Sequence, residues 1–332
     1  MRVRNSMVLA GVALLAFSGS AQAQCSTSTA DACRKTKDMF NFFTPQISTA
    51  LAGGSTTLGQ GGVLGGLGHF AVAVRATAVN GTIPQVDNVA FSTTGERPAA
   101  YRGEDQFVPM LTVDGSIGLF KGLPLGVTNV GGIDALITAT YLPDPGTDNS
   151  GDAQITLPGG STKFGYGLRV GLLQESIVVP GVSFSFIKRD LPEISISGRS
   201  DVSAGGGNAP GDFAINNLAL KTSSWRISAS KGFGPLGLQA GFGGDKYDNS
   251  AGVRVRVEAP APVGTQTAST TVENSMNRTN MYVGASLGFI IGKLVAEYGR
   301  VSGGSLPAAI NTFGSDADAA RSYFSVGIRF GR

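Results

Sequence analysis

Apolar side chains alternate with polar or small ones along ten segments of this chain, and this two-residue period constrains the fold more than any other feature. In a β-strand, successive side chains point to opposite faces of the sheet, so each segment would present one apolar face. The segments are Phe70 to Ala78, Thr112 to Phe120, Ile133 to Tyr141, Lys163 to Leu172, Val182 to Phe186, Ser224 to Ala229, Leu236 to Gly243, Asn280 to Leu287, Lys293 to Gly299 and Tyr323 to Phe330. The pattern predicts an all-β protein.

The composition indicates where the apolar faces lie. Charged residues make up only 15% of the chain, whereas an average soluble domain has roughly 25%. A membrane barrel needs little surface charge, because it shows lipid an apolar band and keeps its polar groups inside. No apolar run after residue 23 reaches the roughly 20 residues of a spanning helix. We therefore predict a closed antiparallel transmembrane β-barrel.

The connections between the segments alternate between short and long. Short links lie at 121–126, 174–180, 231–235 and 290–292, and long polar ones at 80–107, 143–161, 188–219, 245–277 and 302–319. Outer-membrane barrels have short periplasmic turns and long external loops. The alternation of short and long connections therefore predicts an even strand number with both chain ends in the periplasm. We expect about 10 strands within a range of about 8 to 14. The range reflects 193–197, 212–219 and 253–258, which are either extensions of long hairpins or further spans.

The first 23 residues have the layout of a secretory signal. Arg2 and Arg4 precede the apolar stretch Met7 to Phe17, and Ala21-Gln22-Ala23 offers small residues to a signal peptidase. We predict cleavage after Ala23, which lowers the formal charge from +3 to about +1 because two of the 26 basic residues are lost. The two cysteines, Cys25 and Cys33, would then lie in an oxidising compartment, and we expect a disulfide between them.

The segment 24–66 follows the signal and precedes the barrel, which we place at 67–332. Residues 30–52 mix helix formers with Met39 and Phe40, which predicts a short amphipathic helix broken by Pro45. The Gly-rich stretch Gly53 to Gly68 favours flexible backbone. The segment is either a plug that enters the lumen from the periplasm or a disordered periplasmic tail.

The end of the chain carries a motif of its own. Ser325-Val326-Gly327-Ile328-Arg329-Phe330 resembles the terminal signal of Gram-negative outer-membrane proteins, although Gly331 and Arg332 follow the last aromatic residue. This resemblance implies two partners, the barrel assembly machinery and outer-membrane lipid, and a location in the cell outer membrane. The Gly-rich stretch followed by strands and long polar loops also resembles the long-chain fatty acid outer-membrane transporter family, whose N-terminal segment forms a hatch in the lumen.

Charged residues on the polar faces are the candidate lumen groups. They are Arg75, Asp114, Asp134, Arg169, Arg226, Glu297 and Arg329. Either they pair with each other and fill a narrow interior, or they line a passage for a small or apolar solute.

Several functions find no support in the sequence. Basic residues are scattered singly, so we predict no nucleic-acid partner. The single histidine, His69, has no nucleophile elbow around it, and we predict no enzyme activity, no catalytic or metal site and no cofactor. We expect a passive transporter or channel for small or hydrophobic solutes. The alternatives are a structural or surface-interaction barrel acting through its external loops, and a secreted soluble β-sandwich.

Overall fold

The computed structural model of the chain describes residues 25–84, 89–143, 153–200 and 208–331, so the predicted signal lies outside the described residues. One helix, α1 (Ala30–Ala52), precedes the strands. The strands are β1 (Phe70–Pro84), β2 (Phe91–Ser92), β3 (Gly103–Phe120), β4 (Leu123–Leu125), β5 (Thr128–Val130), β6 (Gly132–Tyr141), β7 (Ala153–Thr156), β8 (Thr162–Leu173), β9 (Gly181–Asp190), β10 (Ile194–Ser200), β11 (Asn208–Ala209), β12 (Gly211–Phe233), β13 (Leu236–Glu258), β14 (Thr265–Phe289), β15 (Gly292–Val301) and β16 (Arg321–Gly331). Within these ranges, no helix is both long and apolar enough to cross a membrane.

Ten of the strands close into one antiparallel ring. Their order is β13-β14-β15-β16-β1-β3-β6-β8-β9-β12, and β12 pairs with β13 to complete it. Strand β16 pairs with β1 from Ala71↔Gly331 to Val79↔Tyr323, as the two ends of the ring require. Each of the ten alternating segments lies in one ring strand, so the predicted closed all-β barrel is confirmed.

The ring has an apolar outer surface, here named the apolar belt. On β8, Phe164 and Leu168 point outward and are 68% and 55% exposed. Arg169, the next residue, lies on the inner face and is 0% exposed. A slip of one residue would bring Arg169 to the outside, so burial fixes the register. The belt includes Val72, Val74, Val113, Ile117, Ile137, Tyr166, Phe184, Phe186, Trp225, Leu238, Phe242, Met281, Val283, Leu294, Tyr298, Phe324, Val326 and Ile328.

We name the end of the barrel that carries the long connections the long-loop end. Three ring strands extend far beyond the belt at this end. Strands β12 and β13 have 23 residues each and β14 has 25, whereas a membrane strand needs about 9–11. Their distal parts, with β10 and β7 added beside β12, form what we name the projecting sheet. The stretches 212–219 and 253–258 are therefore extensions of long hairpins and not further spans.

The N-terminal segment runs through the barrel from the long-loop end. Arg34 Nη2 of α1 donates to Ala308 O, which belongs to the last long connection. Asp31 Oδ2 of α1 accepts from Ser92 N, which belongs to the first long connection. At the opposite, short-turn end, Gly61 N donates to Ser230 Oγ. The prediction that both chain ends lie on one side is therefore wrong for the described chain. The ring strands alone would place both ends on one side, but α1 and the residues after it make one additional pass through the lumen.

The disulfide between Cys25 and Cys33 is present, as predicted. It ties the residues before α1 to the first turn of that helix. Together they lie in an apolar core that the projecting sheet encloses at the long-loop end, with members such as Phe40, Leu220, Val255 and Tyr323.

Helix α1 continues through Pro45, so the predicted break is wrong. A proline inside a helix costs about 3 kcal/mol, because it removes a hydrogen bond and crowds the preceding turn. Barrel contacts on several sides offset that cost. The Gln46 side chain accepts from Thr82 N at 2.7 Å, and its Nε2 donates to Thr82 O at 3.2 Å.

Candidate functional site: the lumen and its threading segment

Three arginines from three ring strands bind the C-terminal end of α1. Arg189 Nη1 and Arg226 Nη2 both donate to Ala52 O, at 3.4 and 3.2 Å. Arg75 Nη1 donates to Gly53 O at 3.0 Å. The last carbonyls of a helix lack internal partners and carry the negative end of its dipole. Since α1 has no basic residue in its last turn, the barrel wall supplies the positive charge.

Three carboxylates balance these arginines. Arg75 Nη2 lies 3.1 Å from Asp114 Oδ2, and Arg226 Nη2 lies 2.7 Å from Asp245 Oδ1. Glu297 Oε1 accepts from Ser55 N at 2.8 Å. Unpaired buried charges cost several kcal/mol each, so the ion pairs that Asp114 and Asp245 form with the arginines make burial tolerable. We name these six side chains the central layer: Arg75, Arg189, Arg226, Asp114, Asp245 and Glu297.

A third ion pair lies nearer the short-turn end. Arg169 Nη2 lies 2.6 Å from Asp134 Oδ2, and both side chains are 0% exposed. Asp134 also accepts from Leu64 N at 3.1 Å, while Arg169 Nη1 lies 3.4 Å from Gln60 O. Arg329 Nη1 donates to Leu58 O at 3.3 Å. The wall thus binds backbone atoms of the residues that follow α1.

Glycines on the inner wall leave room for this backbone. A Cβ atom added to Gly118 would lie 2.3 Å from Gly66 O, and one added to Gly181 would lie 2.9 Å from Gly62 N. At Gly132 it would lie 2.6 Å from a methyl group of Val63. We name Gly53 to Gly68 the threading segment. The lumen is filled by α1 and this segment, together with the buried charged side chains of the wall that bind them.

A cavity of about 600 Å³ opens beside α1 at the long-loop end. We name it the outer-mouth cavity. Its wall includes Phe42 of α1, and the Phe313 ring lies 5.0 Å from Phe42 and 5.4 Å from Tyr101. Burial, with a smaller contribution from the nearby Asp31 carboxylate, raises the pKa of Tyr101 to about 12, so this phenol is neutral at physiological pH. The aromatic rings can take a small ligand with an apolar part.

All seven candidate lumen residues face the interior. Arg75, Asp114, Arg226 and Glu297 belong to the central layer, and Asp134, Arg169 and Arg329 lie nearer the short-turn end. The sequence analysis missed Arg189 and Asp245. Both lie just past a recognised segment, and continuing the two-residue period beyond Phe186 and Gly243 places each on the inner face.

In the part of the chain that the structure describes, no three His, Cys, Asp or Glu side chains are grouped so that they could hold a metal ion.

No protein-family model and no curated protein matches this chain. Solved structures similar to it include the translocator domain of autotransporter NalP from Neisseria meningitidis, at 13% identity and a TM-score of 0.32, covering 92% of this chain and 99% of that one. The Ralstonia pickettii toluene transporter TbuX is 14% identical, with a TM-score of 0.29, covering 86% and 97%. A Pseudomonas aeruginosa FadL homologue is 8% identical, with a TM-score of 0.29, covering 79% and 90%.

The chain's own geometry is that of a transmembrane β-barrel. The ring has no unpaired edge, its belt is apolar, and charged groups within the span of the belt, such as Arg169 and Asp134, face inward. Strands can span a membrane only in such a closed arrangement, because lipid offers no hydrogen bonds to an exposed edge.

Proposed function

We propose that this outer-membrane barrel is a passive channel for small or hydrophobic solutes, closed at rest by its threading segment. One observation carries the proposal. Towards the short-turn end, the lumen is sealed by a stretch of backbone lying against inner-wall glycines such as Gly118 and Gly181. Because these glycines contribute no side chains, moving this segment leaves a passage at their level.

The contacts that hold the segment are fewer than those that hold the ring. Leu64 N and Gly61 N donate to Asp134 and Ser230, and the other wall contacts of the segment are likewise single hydrogen bonds, such as those to Gly53 O, Leu58 O and Val63 O. A hydrogen bond contributes about 0.5–1.5 kcal/mol net, and local opening costs less than global unfolding. The threading segment can therefore shift while the strand pairings persist.

The outer-mouth cavity gives a solute a place to bind before it passes. It lies against Phe42, and the helix that carries Phe42 ends at Ala52, where the arginines bind. A solute in the cavity thus contacts the same helix whose end is fixed in the central layer. Aromatic or alkyl groups would pack beside Phe42, Tyr101 and Phe313.

The test compares the full chain with a variant lacking residues 26–62. We expect the full chain to be closed to ions in planar bilayers and the deletion to conduct, with faster solute release from liposomes. A Cys25→Ser/Cys33→Ser variant, which keeps the segment and loses only the disulfide, is the control and should remain closed. A folded deletion variant that stays tightly closed would contradict the proposal.

A surface-interaction barrel is the second candidate, because the projecting sheet extends well beyond the apolar belt and encloses a core of its own. Uptake of a fluorescent apolar solute into liposomes distinguishes the two. Uptake through the full-length protein above the protein-free rate favours the channel. Equal rates, with uptake only through the deletion variant, favour the surface role.

A further inference from the structure

Three lysines lie together at the long-loop edge of the apolar belt, on one side of the barrel. Lys188 of β9, Lys221 of β12 and Lys246 of β13 are all exposed. In the strand register, Ser223 lies between Lys188 and Lys246, and Lys221 lies between Asp190 and Asp248. Neighbouring strands are about 4.8 Å apart, so Lys188 and Lys246 start from backbone positions about 10 Å apart. We name these three residues the lysine patch.

Two adjoining surface depressions lie at the patch. One of about 500 Å³ is lined by Phe186, Trp225 and Lys246, and one of about 230 Å³ by Tyr166, Lys188 and Lys221. Ser223 lines both. Gly244 forms part of the floor of the larger depression, because a Cβ atom there would lie 2.6 Å from Trp225 Nε1. The larger depression therefore has Phe186 and Trp225 on its belt side and Lys246 on its outer side, whereas in the smaller one Tyr166 lies beside Lys188 in the strand register.

The patch keeps positive charge available for a ligand. Lys246 Nζ lies 3.0 Å from Asp248 Oδ2, while Lys188 and Lys221 have no hydrogen-bond or ion-pair partner among the residues that the structure describes. Three lysines face two carboxylates, those of Asp190 and Asp248, and the balance is positive. Farther round the ring, the corresponding belt edge carries Asn277 on β14 and a lone Arg300 on β15.

Below the lysines, aromatic side chains form a continuous apolar surface. The Trp225 ring lies 6.4 Å from Phe184 and 6.3 Å from Phe242. Aromatic rings favour the boundary between hydrocarbon and headgroups, and lysines extend from that level towards phosphates. The order from the belt outwards is thus an apolar surface, then a tryptophan, then three cationic groups.

We infer that the lysine patch binds the phosphate-bearing headgroup of an outer-leaflet lipid, whose acyl chains lie along Phe184, Trp225 and Phe242. This inference rests on the proposed outer-membrane role. The phosphate oxygens accept from the lysine ammonium groups, and the acyl chains cover a surface that lipid contacts in any case.

Trp225 is the single tryptophan of the chain, so its fluorescence reports on this site. The probe is purified lipid A with both phosphates, titrated into the full-length protein in detergent micelles, beside its dephosphorylated form. We expect the phosphorylated lipid to bind at least about tenfold more tightly. The triple variant Lys188→Gln/Lys221→Gln/Lys246→Gln should lose that preference, and salt should weaken binding to the unaltered protein.

Arg300→Gln is the control, since it removes one exposed positive charge from β15, a strand away from the patch. It should leave the affinity unchanged. Equal affinity of the triple variant and the unaltered protein would overturn the inference, as would an equal loss in Arg300→Gln.

Brominated acyl chains separate failure of this inference from failure of the proposed function. If Trp225 is quenched in brominated bilayers but the protein shows no preference for phosphorylated lipid, only the proposed lipid site is contradicted. If Trp225 is not quenched at all, the belt does not contact lipid, and the proposed membrane role is contradicted as well.

Discussion

Arg226 Nη2 donates to Ala52 O at 3.2 Å, so a barrel strand binds the end of a helix that lies 174 positions earlier in the chain. The same guanidinium pairs with Asp245 at 2.7 Å. Closure of the lumen and pairing of buried charge therefore depend on the same side chains. Disturbing one should affect both.

Asp134→Ala should destabilise the barrel, because it leaves Arg169 as an unpaired buried charge and removes the acceptor of Leu64 N. We expect the free energy of unfolding to fall by about 3–5 kcal/mol. Urea unfolding in detergent micelles measures it. The control is Asp212→Ala, whose partner Arg256 is exposed and whose loss should cost under about 1 kcal/mol. Equal losses at the two sites would contradict the prediction.

Gly118→Val should open the lumen without unfolding the ring. The three atoms nearest to an added Cβ at this position belong to Gly66 of the threading segment, and the nearest lies at 2.3 Å. We expect raised conductance in planar bilayers and unchanged β-sheet content by circular dichroism. Gly252→Val should conduct no more than the unaltered protein, since the nearest atom there is 3.7 Å away. If Gly118→Val remains as closed as this control, glycine packing does not make the seal.

Val326→Arg should impair insertion into lipid. Val326 faces outward on β16 and is 39% exposed, so the guanidinium would lie in the hydrocarbon. The expected cost is about 2–4 kcal/mol near the bilayer midplane. Refolding yield in lipid vesicles measures the effect, and Val326→Leu, which keeps the position apolar, should refold normally. Full insertion of the arginine variant would show that this strand does not contact lipid.

Thr27→Cys should be labelled by a membrane-impermeant maleimide on intact cells. Thr27 is exposed and precedes α1 at the long-loop end, which an outer-membrane barrel turns outward. Both native cysteines are in the disulfide, so the new thiol is free. Val178→Cys, 72% exposed in a short turn, should react only after permeabilisation. The reverse pattern would place the N-terminal segment at the periplasmic end.

Local patterns were enough to place the ring strands. Leu168 and Arg169 show why, since one meets lipid and the next is buried in the lumen, and that contrast repeats every two residues. The ends of strands were harder to predict. Beyond Phe186 and Gly243 the outward positions turn polar, because the strands leave the belt, so the contrast that marks them fades before Arg189 and Asp245.

The path of the N-terminal segment could not be predicted in the same way. Glycine and small polar residues at 53–68 suit flexible backbone equally well in a tail or in a lumen, so their local preferences do not choose between the two. Pro45 predicted a helix break, yet contacts from Thr82 and the surrounding wall keep the helix whole.

The sequence by itself determined the strands, their register, the closed ring and its apolar belt, because each depends on the environment of single side chains and repeats along the chain. The tertiary structure decided that the N-terminal segment crosses the lumen from the long-loop end, and which charged groups pair there. Those contacts join residues far apart in the chain, such as Arg226 and Ala52, and several lumen charges offer equivalent partners until the ring closes and fixes their positions.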